Sequence, residues 1–137
     1  MRYKWLLSYK YHIFEIIASE KIRLLNNTQL WKFNNDYRYD FKTCDKLRYE
    51  VKTDELSLKT NNLFIEFESY NKASGISITK ANYYIFSDTI DYYLIETQKL
   101  KDILSNIENK KIMSTKDKLT FGYLVRKEVI FTQCKKI

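Results

Sequence analysis

The apolar residues of this chain change their spacing twice, and these two changes limit the folds that the chain can adopt. Over residues 11–26 they recur at helical intervals along a broad face, which predicts an α-helix that ends at Asn26. From residue 30 to residue 96 apolar and polar side chains alternate in short runs, as they do in strands. Residues 97–110 return to helical spacing, with Thr97 as the expected N-cap.

The alternating region divides into several short strands. The expected strands are residues 30–33, 39–43, 47–53, 61–70, 82–87 and 91–97, and residues 119–131 are expected to supply one or two more. The three residues 44–46 are a tight connection, so the second and third strands should form an antiparallel hairpin. Residues 34–38 are an expected polar turn, and residues 74–81 an expected compact segment with a helical turn.

The predicted order is helix, several strands, helix, strand. It is typical of an α/β or α+β protein in which a mixed central sheet is flanked by helices. A length of 137 residues suits one domain of ordinary size, so we expect a single domain over residues 1–137.

The charge balance favours a polyanionic partner. The net charge of +7 points first to nucleic acid and second to an anionic membrane surface. No apolar run approaches the ~20 residues of a membrane-spanning helix, and Lys4 and Lys10 interrupt the stretch that a signal peptide would need. We therefore expect an intracellular protein that is not secreted and has no membrane partner. Cys44 and Cys134 are far apart and His12 is the one histidine, which argues against a zinc site.

Two carboxylates and a lysine are expected to meet on the predicted hairpin. Glu50 and Lys52 are two residues apart on one strand, so they project from the same face about 6.6 Å apart. Asp40 lies on the neighbouring strand and can approach Glu50 across the pair. An ordinary solvated hairpin would also carry such charges, but here each lies among aromatic or β-branched neighbours.

This combination of groups suits metal-assisted phosphodiester hydrolysis. Mg²⁺ prefers oxygen ligands and often takes one or two carboxylates, so Asp40, Glu50 and the carbonyl of Val51 are the expected ligands, with Mn²⁺ as a substitute ion. The metal would polarise the phosphate and acidify a bound water. Lys52 would orient or deprotonate that water, or neutralise charge in the transition state, and we expect its pKa to be lowered.

Glu15 is a further candidate on the first predicted helix. It lies beside the apolar stripe, where a carboxylate must find a partner because an unpaired buried charge is costly. Two interpretations stay open: the carboxylate pairs with a lysine or lies at the rim of the core, or it makes a further metal or water contact.

Asp40 followed by the run YEVK at residues 49–52 resembles the PD-(D/E)XK nuclease superfamily, which includes restriction endonuclease-like and archaeal Holliday junction resolvase-like enzymes. In that superfamily an Asp ends one strand, an acid-x-lysine lies on the next, and an acid of the first helix often joins them. The matching residues here are Asp40, Glu50, Lys52 and Glu15. Residues 50–88 are also similar to small nuclease-like proteins of phages and large DNA viruses.

The resemblance covers about residues 10–95, and its departures remove no ligand. Tyr39 stands where the superfamily has a proline, and Asn61 where the viral group often has a glycine. The resemblance implies a restriction endonuclease-like core and a Mg²⁺-dependent DNA endonuclease, selective for structures such as Holliday junctions. It also implies a homodimer, because a junction needs two cuts, and a location in the cytoplasm or nucleus of a host cell if the source is viral.

Other residues extend the candidate site. Four residues are expected to contact phosphates because they combine close backbone approach, hydroxyl groups and charge: Ser74, Gly75, Thr79 and Lys80. An alternative acidic set, which takes the metal in a second register, consists of Asp54, Glu66 and Glu68.

Two functions follow from these residues. The first is the DNA endonuclease, and the alternative is a non-catalytic nucleic-acid-binding module with the same fold. A pure binding module has no reason to keep a complete set of two acids and a lysine, so the endonuclease is the favoured hypothesis.

Overall fold

A computed structural model describes residues 2–34, 38–107 and 111–137 of the chain. The middle of the expected polar turn, residues 35–37, and the expected end of the second long helix, residues 108–110, lie outside the described residues. The helices are α1 (Arg2–Asn26), α2 (Ser57–Thr60), α3 (Thr97–Asn106) and α4 (Lys127–Phe131), with a 3₁₀ turn at Gly75–Ser77. The strands are β1 (Leu30–Phe33), β2 (Phe41–Thr43), β3 (Arg48–Thr53), β4 (Asn62–Ser69), β5 (Lys72–Ala73), β6 (Tyr83–Ser87), β7 (Tyr92–Glu96), β8 (Lys111–Ser114), β9 (Thr120–Arg126) and β10 (Lys135–Lys136). None of the described helices is long and apolar enough to cross a membrane.

The central sheet is mixed and has six strands in the order β1-β2-β3-β6-β7-β10. Strands β3 and β6 run parallel, and the other neighbours in this sheet pair antiparallel. One face of the sheet is covered by α1, because Ala18 and Ile22 pack against apolar side chains such as Tyr49, Val51 and Ile85. The predicted hairpin is confirmed, since Phe41 of β2 lies opposite Tyr49 of β3.

A second, antiparallel sheet of four strands packs on the other face of the central sheet, in the order β5-β4-β9-β8. Its residues Leu63 and Val125 share one core with Tyr84 and Phe86 of β6 and with Leu100 of α3. The sequence pattern predicted strand β4 and part of β9, but it did not predict that these strands form a sheet of their own. The expected α+β fold with a mixed central sheet flanked by helices is confirmed.

Three boundaries differ from the expected ones. Helix α1 begins at Arg2, well before residue 11. Thr97 is not the N-cap of α3: Glu96 takes that position with an extended backbone, and the Thr97 side chain is buried. Residues 127–131 form the short helix α4 and not a strand, because Arg126 turns the chain at the end of β9.

Candidate active site

Strand β3 has one apolar face and one charged face. Tyr49 and Val51 point into the core beneath α1, while Glu50 and Lys52 point to the side on which the second sheet lies. The parallel register places Tyr84 beside Glu50 and Phe86 beside Lys52. Burial, followed by the charge of Glu50, raises the pKa of the Tyr84 hydroxyl. The charged side chains of β3 therefore lie beside aromatic side chains of β6.

Asp40 comes one residue before β2, and its side chain accepts a hydrogen bond from β3 that a longer β2 would otherwise accept through its backbone. The pairing of β2 with β3 ends at Phe41 and Tyr49. Beyond that point the Val51 N–H donates a hydrogen bond of 2.6 Å to Oδ2 of Asp40. The N–H and C=O of one residue in a strand point to the same side, so the Val51 carbonyl also faces the Asp40 side chain. The local backbone thus directs a carboxylate and a carbonyl oxygen to the same place.

Glu50 and Lys52 form an ion pair within the cleft. The Lys52 Nζ lies 3.1 Å from Oε1 of Glu50. The Glu50 side chain is only 10% exposed, whereas the Lys52 side chain is 40% exposed. The carboxylate is therefore almost withdrawn from water, and the ammonium group reaches toward the open side of the cleft.

Glu15 joins this group from helix α1. Its Oε2 lies 3.1 Å from Nδ1 of His12, one helical turn earlier, and its side chain is 25% exposed. The Glu15 carboxyl also interacts with the Asp40 carboxyl, which in turn interacts with Glu50. Three carboxyl groups thus form a chain from α1 to β3. Glu15 lies behind Asp40 and is not among the described residues that line the cleft.

Burial makes these three carboxyl groups more basic. Burial raises the pKa of Glu50 to about 7, the Asp40 and Glu15 charges raise it as well, and Lys52 opposes them. Burial also raises the pKa values of Asp40 and Glu15. Buried carboxyl groups with raised pKa values in a cleft are typical of functional sites.

The expectation that Lys52 has a lowered pKa is wrong. Burial lowers it, but the nearby carboxylates of Glu50, Asp40 and Glu66 together have the larger effect, so the pKa of Lys52 is raised. Lys52 is therefore a cation at neutral pH. As a cation it can donate hydrogen bonds and balance negative charge, but it cannot accept a proton from water.

The charged face of β3 opens into a cleft of about 950 Å³. Its opposite wall comes from β4, β5 and the 3₁₀ turn. The cleft is lined by Arg38, Asp40, Glu50, Lys52, Glu66, Ser69, Lys72, Ala73, Ser74, Gly75, Ser77, Ile78 and Lys80. The lining includes the carboxylates of Asp40, Glu50 and Glu66 together with four cationic side chains, those of Arg38, Lys52, Lys72 and Lys80.

Three of the four residues expected to contact phosphates line this cleft. Ser74, Gly75 and Lys80 do so, and the Ser74 hydroxyl is buried with no hydrogen-bond partner. The Thr79 hydroxyl is used elsewhere, because it donates to the Arg38 carbonyl and accepts from the Ala81 N–H. An unpartnered buried hydroxyl in a cleft is a place where a ligand oxygen or water can bind.

The backbone geometry at residue 75 requires a glycine. Its φ of +51° lies in the left-handed region, and a Cβ there would come within 2.3 Å of the Glu66 carbonyl oxygen. Glycine allows the 3₁₀ turn to lie directly against β4. This contact sets the width of the cleft on the side opposite Glu50.

The alternative acidic set is not brought together. Asp54 accepts a hydrogen bond of 3.1 Å from the N–H of Ser57 at the start of α2 and one of 3.3 Å from the N–H of Phe64 in β4. Glu66 lines the cleft, but Asp54 and Glu68 are not among the described residues that do so. Asp54 therefore holds α2 against β4.

The oxygen atoms of Asp40, Glu50 and Val51 suit Mg²⁺ or Mn²⁺ if water supplies the remaining ligands. The described residues contain no group of three or more His, Cys, Asp or Glu side chains that could hold a metal ion. Asp40 and Glu50 offer two carboxylates, and the Val51 carbonyl faces the same side. Mg²⁺ commonly takes one or two carboxylates and keeps several waters, so this hard-oxygen set fits it.

Sequence reasoning missed several residues of the site. Arg38 and Lys72 line the cleft, although Arg38 lies in a turn and Lys72 in the two-residue strand β5, and neither has a periodic signal. Tyr84 lies beside Glu50 through a parallel pairing, whose register no local pattern reports. His12 contacts Glu15, and its position three residues earlier on the same helix is the one signal that could have predicted the contact.

Comparisons of this chain with known protein families, with curated proteins and with solved structures find no match. The case for a function therefore depends on the chemistry of the site.

Proposed function

We propose that this protein is a metal-dependent endonuclease that hydrolyses phosphodiester bonds in DNA and is built on a restriction endonuclease-like core. The observation that carries the proposal is the meeting of Asp40, Glu50 and Lys52 at the base of a cleft between two sheets. Structure-selective cutting, as in Holliday junction resolvase-like enzymes, is the form of the activity that the sequence resemblance implies.

The two carboxylates would hold the metal ion together with the Val51 carbonyl. When bound, Mg²⁺ would polarise the scissile phosphate and lower the pKa of a bound water. Burial raises the pKa values of Asp40 and Glu50, and a divalent cation bound by their oxygens would favour the ionised forms that burial disfavours. The hydrogen bond from the Val51 N–H holds Asp40 in place before any ion arrives.

Lys52 supplies positive charge where the reacting phosphate would lie. Its ion pair with Glu50 fixes the direction of the side chain, and its exposed end reaches into the cleft. Removal of one preorganised donor that stabilises developing negative charge costs about 10²–10³ in rate in well-studied enzymes. The surrounding carboxylates favour the charged form of Lys52, which suits a group that orients water or neutralises charge.

Cationic residues around the carboxylates would hold the DNA backbone. Arg38, Lys72 and Lys80 line the same cleft. Contacts from lysine and arginine to phosphates position a nucleic acid without reading its sequence. They also compensate for the repulsion between the DNA and the acidic base of the cleft.

A cleavage assay tests the proposal. The purified chain is incubated with Mg²⁺ or Mn²⁺ and a panel of labelled DNAs: a closed circle, a linear duplex, a nicked duplex, a flap and a four-way junction. We expect the circle to be cut, which identifies an endonuclease, and the preferred member of the panel to identify the structure selectivity. Asp40→Asn and Glu50→Gln should each lower the rate at least about 100-fold.

Two matched variants complete this assay. Glu96→Gln removes an exposed carboxylate at the start of α3, remote from the cleft lining, and should keep full activity. Glu68→Gln should do the same, whereas strong loss in Glu68→Gln would favour the alternative acidic set. Full activity of both Asp40→Asn and Glu50→Gln would overturn the site assignment.

A non-catalytic nucleic-acid-binding module is the second candidate function. The cationic lining of the cleft favours it, because Arg38, Lys72 and Lys80 need no chemistry to bind phosphates. This candidate predicts salt-dependent DNA binding by the wild-type chain with no metal requirement and no cleavage of any DNA in the panel.

A further inference from the structure

A row of cations crosses the central sheet on the face that carries Glu50. In the pairing of β1 with β2, Lys32 lies opposite Lys42, and in the pairing of β2 with β3, Lys42 lies opposite Arg48. Directly opposed residues share a face, and like charges placed this way destabilise a sheet. Arg48 lies two residues before Glu50 on β3, so it projects from the same face about 6.7 Å along the strand.

The two ends of this row border a second pocket, next to the cleft. The pocket has a volume of about 560 Å³ and is lined by Lys32, Asn34, Arg38, Tyr39, Arg48 and Lys80. Four of these described lining residues are cationic, and none is acidic. Arg38 and Lys80 also line the cleft that contains Asp40 and Glu50, so the pocket and the cleft are neighbours.

Arg48 is held in this pocket with unused hydrogen-bonding capacity. Its guanidinium carbon lies 5.4 Å from the centre of the Tyr39 ring, which fixes the side chain by a cation–π contact. Its backbone N–H donates to Oδ1 of Asn82 at 2.8 Å, which anchors it to the residue that precedes β6. The Arg48 Nε is nevertheless buried with no hydrogen-bond partner. Because Arg48 lines the pocket and its side chain is held in place, its guanidinium group is preorganised to meet an anion there.

We propose that this pocket binds a phosphate group of the nucleic acid whose neighbouring phosphate lies in the cleft, with Lys32 and Arg48 as its principal ligands. The inference rests on the proposed function for the identity of the strand that carries the phosphate. Arg38 and Lys80 line both the pocket and the cleft, so phosphates bound in the two places would be close together on one strand. The guanidinium group suits phosphate because it presents donors in a planar fork. The phosphate is either an internal diester or a terminal monoester, and the pocket chemistry is the same for both.

Binding without cleavage tests this subsite. The probes are single-stranded DNAs of about 12 nucleotides with an internal fluorophore and a 5′-phosphate, a 3′-phosphate or two hydroxyl ends. Fluorescence anisotropy is measured with EDTA, from about 0.05 to 0.2 M salt. The variants are Lys32→Gln, Arg48→Gln and Arg48→Lys. Lys116→Gln, which removes an exposed cation from the turn between β8 and β9, is the matched control.

We expect Lys32→Gln and Arg48→Gln to weaken binding roughly tenfold, because each removes a charge-assisted hydrogen bond. Each should also lower the slope of log affinity against log salt by about 0.7, the loss of one phosphate contact on a single strand. Arg48→Lys should keep the slope but bind more weakly than wild type, since lysine lacks the fork. Equal weakening for all three probes indicates an internal phosphate, and weakening confined to one phosphorylated probe indicates a terminal one.

Wild-type affinity and salt slope in both Lys32→Gln and Arg48→Gln would overturn the subsite, as would equal losses in Lys116→Gln. Because Lys32 is exposed, a loss in Lys32→Gln does not come from unfolding. The cleavage assay separates this result from failure of the proposed function. A chain that shows these slope changes but cuts no DNA has the subsite without the nuclease, and a chain that cuts DNA without them has the nuclease without the subsite.

Discussion

Glu50 is a carboxylate that the fold buries, at the position where the proposed function requires a metal ligand. Its side chain is almost fully buried beside Asp40, and burial raises its pKa to about 7. A hydrophobic residue at this position would pack against Tyr84 without that cost. Stability has therefore been given up here for a group of oxygen atoms, which is typical of residues that bind a ligand or take part in chemistry.

The raised pKa of Glu50 gives a prediction for the metal-free protein. The unfolded chain releases the Glu50 proton near pH 4.5, whereas the folded chain keeps it until about pH 7. The stabilisation that the protonated Glu50 carboxyl gives to the folded chain is therefore fully present below pH 4.5 and is lost as the pH rises through 7. Glu50→Gln should exceed the free energy of unfolding of the wild type by about 1 kcal/mol or less at pH 5 and by up to about 3 kcal/mol at pH 8. Denaturant unfolding in EDTA at both pH values measures the difference, and an advantage that is the same at pH 5 and pH 8 would contradict the assignment.

Lys52 shows the limit of sequence reasoning about single residues. Its place on the face shared with Glu50 follows from a period of two, and the structure agrees. The direction of its pKa shift depends on the carboxylates that surround it, including Glu66 from the other sheet. No local pattern reports a neighbour that belongs to a different sheet, so the expected direction was wrong.

At the scale of elements, α1 and β3 together hold the site in place. Ala18 and Ile22 of α1 are fully buried against the apolar face of β3, directly behind Glu50 and Lys52. The same helix carries Glu15 toward Asp40. The packing of α1 on β3 therefore fixes the positions of both Glu50 and Glu15.

This packing predicts unequal costs for the same substitution at two positions of α1. Ile22→Ala removes a fully buried side chain and should lower the free energy of unfolding by about 2–5 kcal/mol. Ile16→Ala removes a side chain that is 45% exposed and should cost about 1 kcal/mol or less. Chemical denaturation of the two variants checks the difference, and equal costs at the two positions would contradict the described docking of α1.

The elements differ in how well their sequence predicts them. The hairpin of β2 and β3 was predictable because its period-two pattern and its three-residue connection lie within one short segment. The second sheet was not, because β4 pairs with β9 about sixty residues later, as in the pair Leu63 and Val125. The start of α3 was misplaced by one residue, since Thr97 and Glu96 are both polar and only the backbone decides which one is the cap.

At the scale of the whole molecule, a protein with a net positive charge has a group of carboxylates in one cleft. The chain carries a net charge of +7, and cations line both the cleft and the neighbouring pocket. At the base of the cleft the balance reverses, because Asp40 and Glu50 face one lysine, Lys52. Such a field attracts a polyanion to the surface and a cation to the base of the cleft.

Metal binding should therefore stabilise the fold. A ligand that binds the folded chain alone adds about 2.7 kcal/mol at a concentration 100 times its Kd, which raises Tm by several degrees. We expect Mn²⁺ or Mg²⁺ to raise the Tm of the wild type and to leave Glu50→Gln unchanged, at constant ionic strength. Thermal unfolding with and without EDTA measures the shift. An equal shift in wild type and Glu50→Gln would place the ion elsewhere.

The most direct test of the central claim is the nicking of a closed circular DNA in Mn²⁺ by the wild type and by Lys52→Ala. Lys52 is exposed enough for alanine to be accommodated, and the acids that would hold the metal stay in place. The account predicts that the wild type nicks the circle and that Lys52→Ala, which still binds DNA, does so at least about 100-fold more slowly. Equal rates in the two proteins, or no nicking by a wild-type chain that binds the DNA, would contradict it.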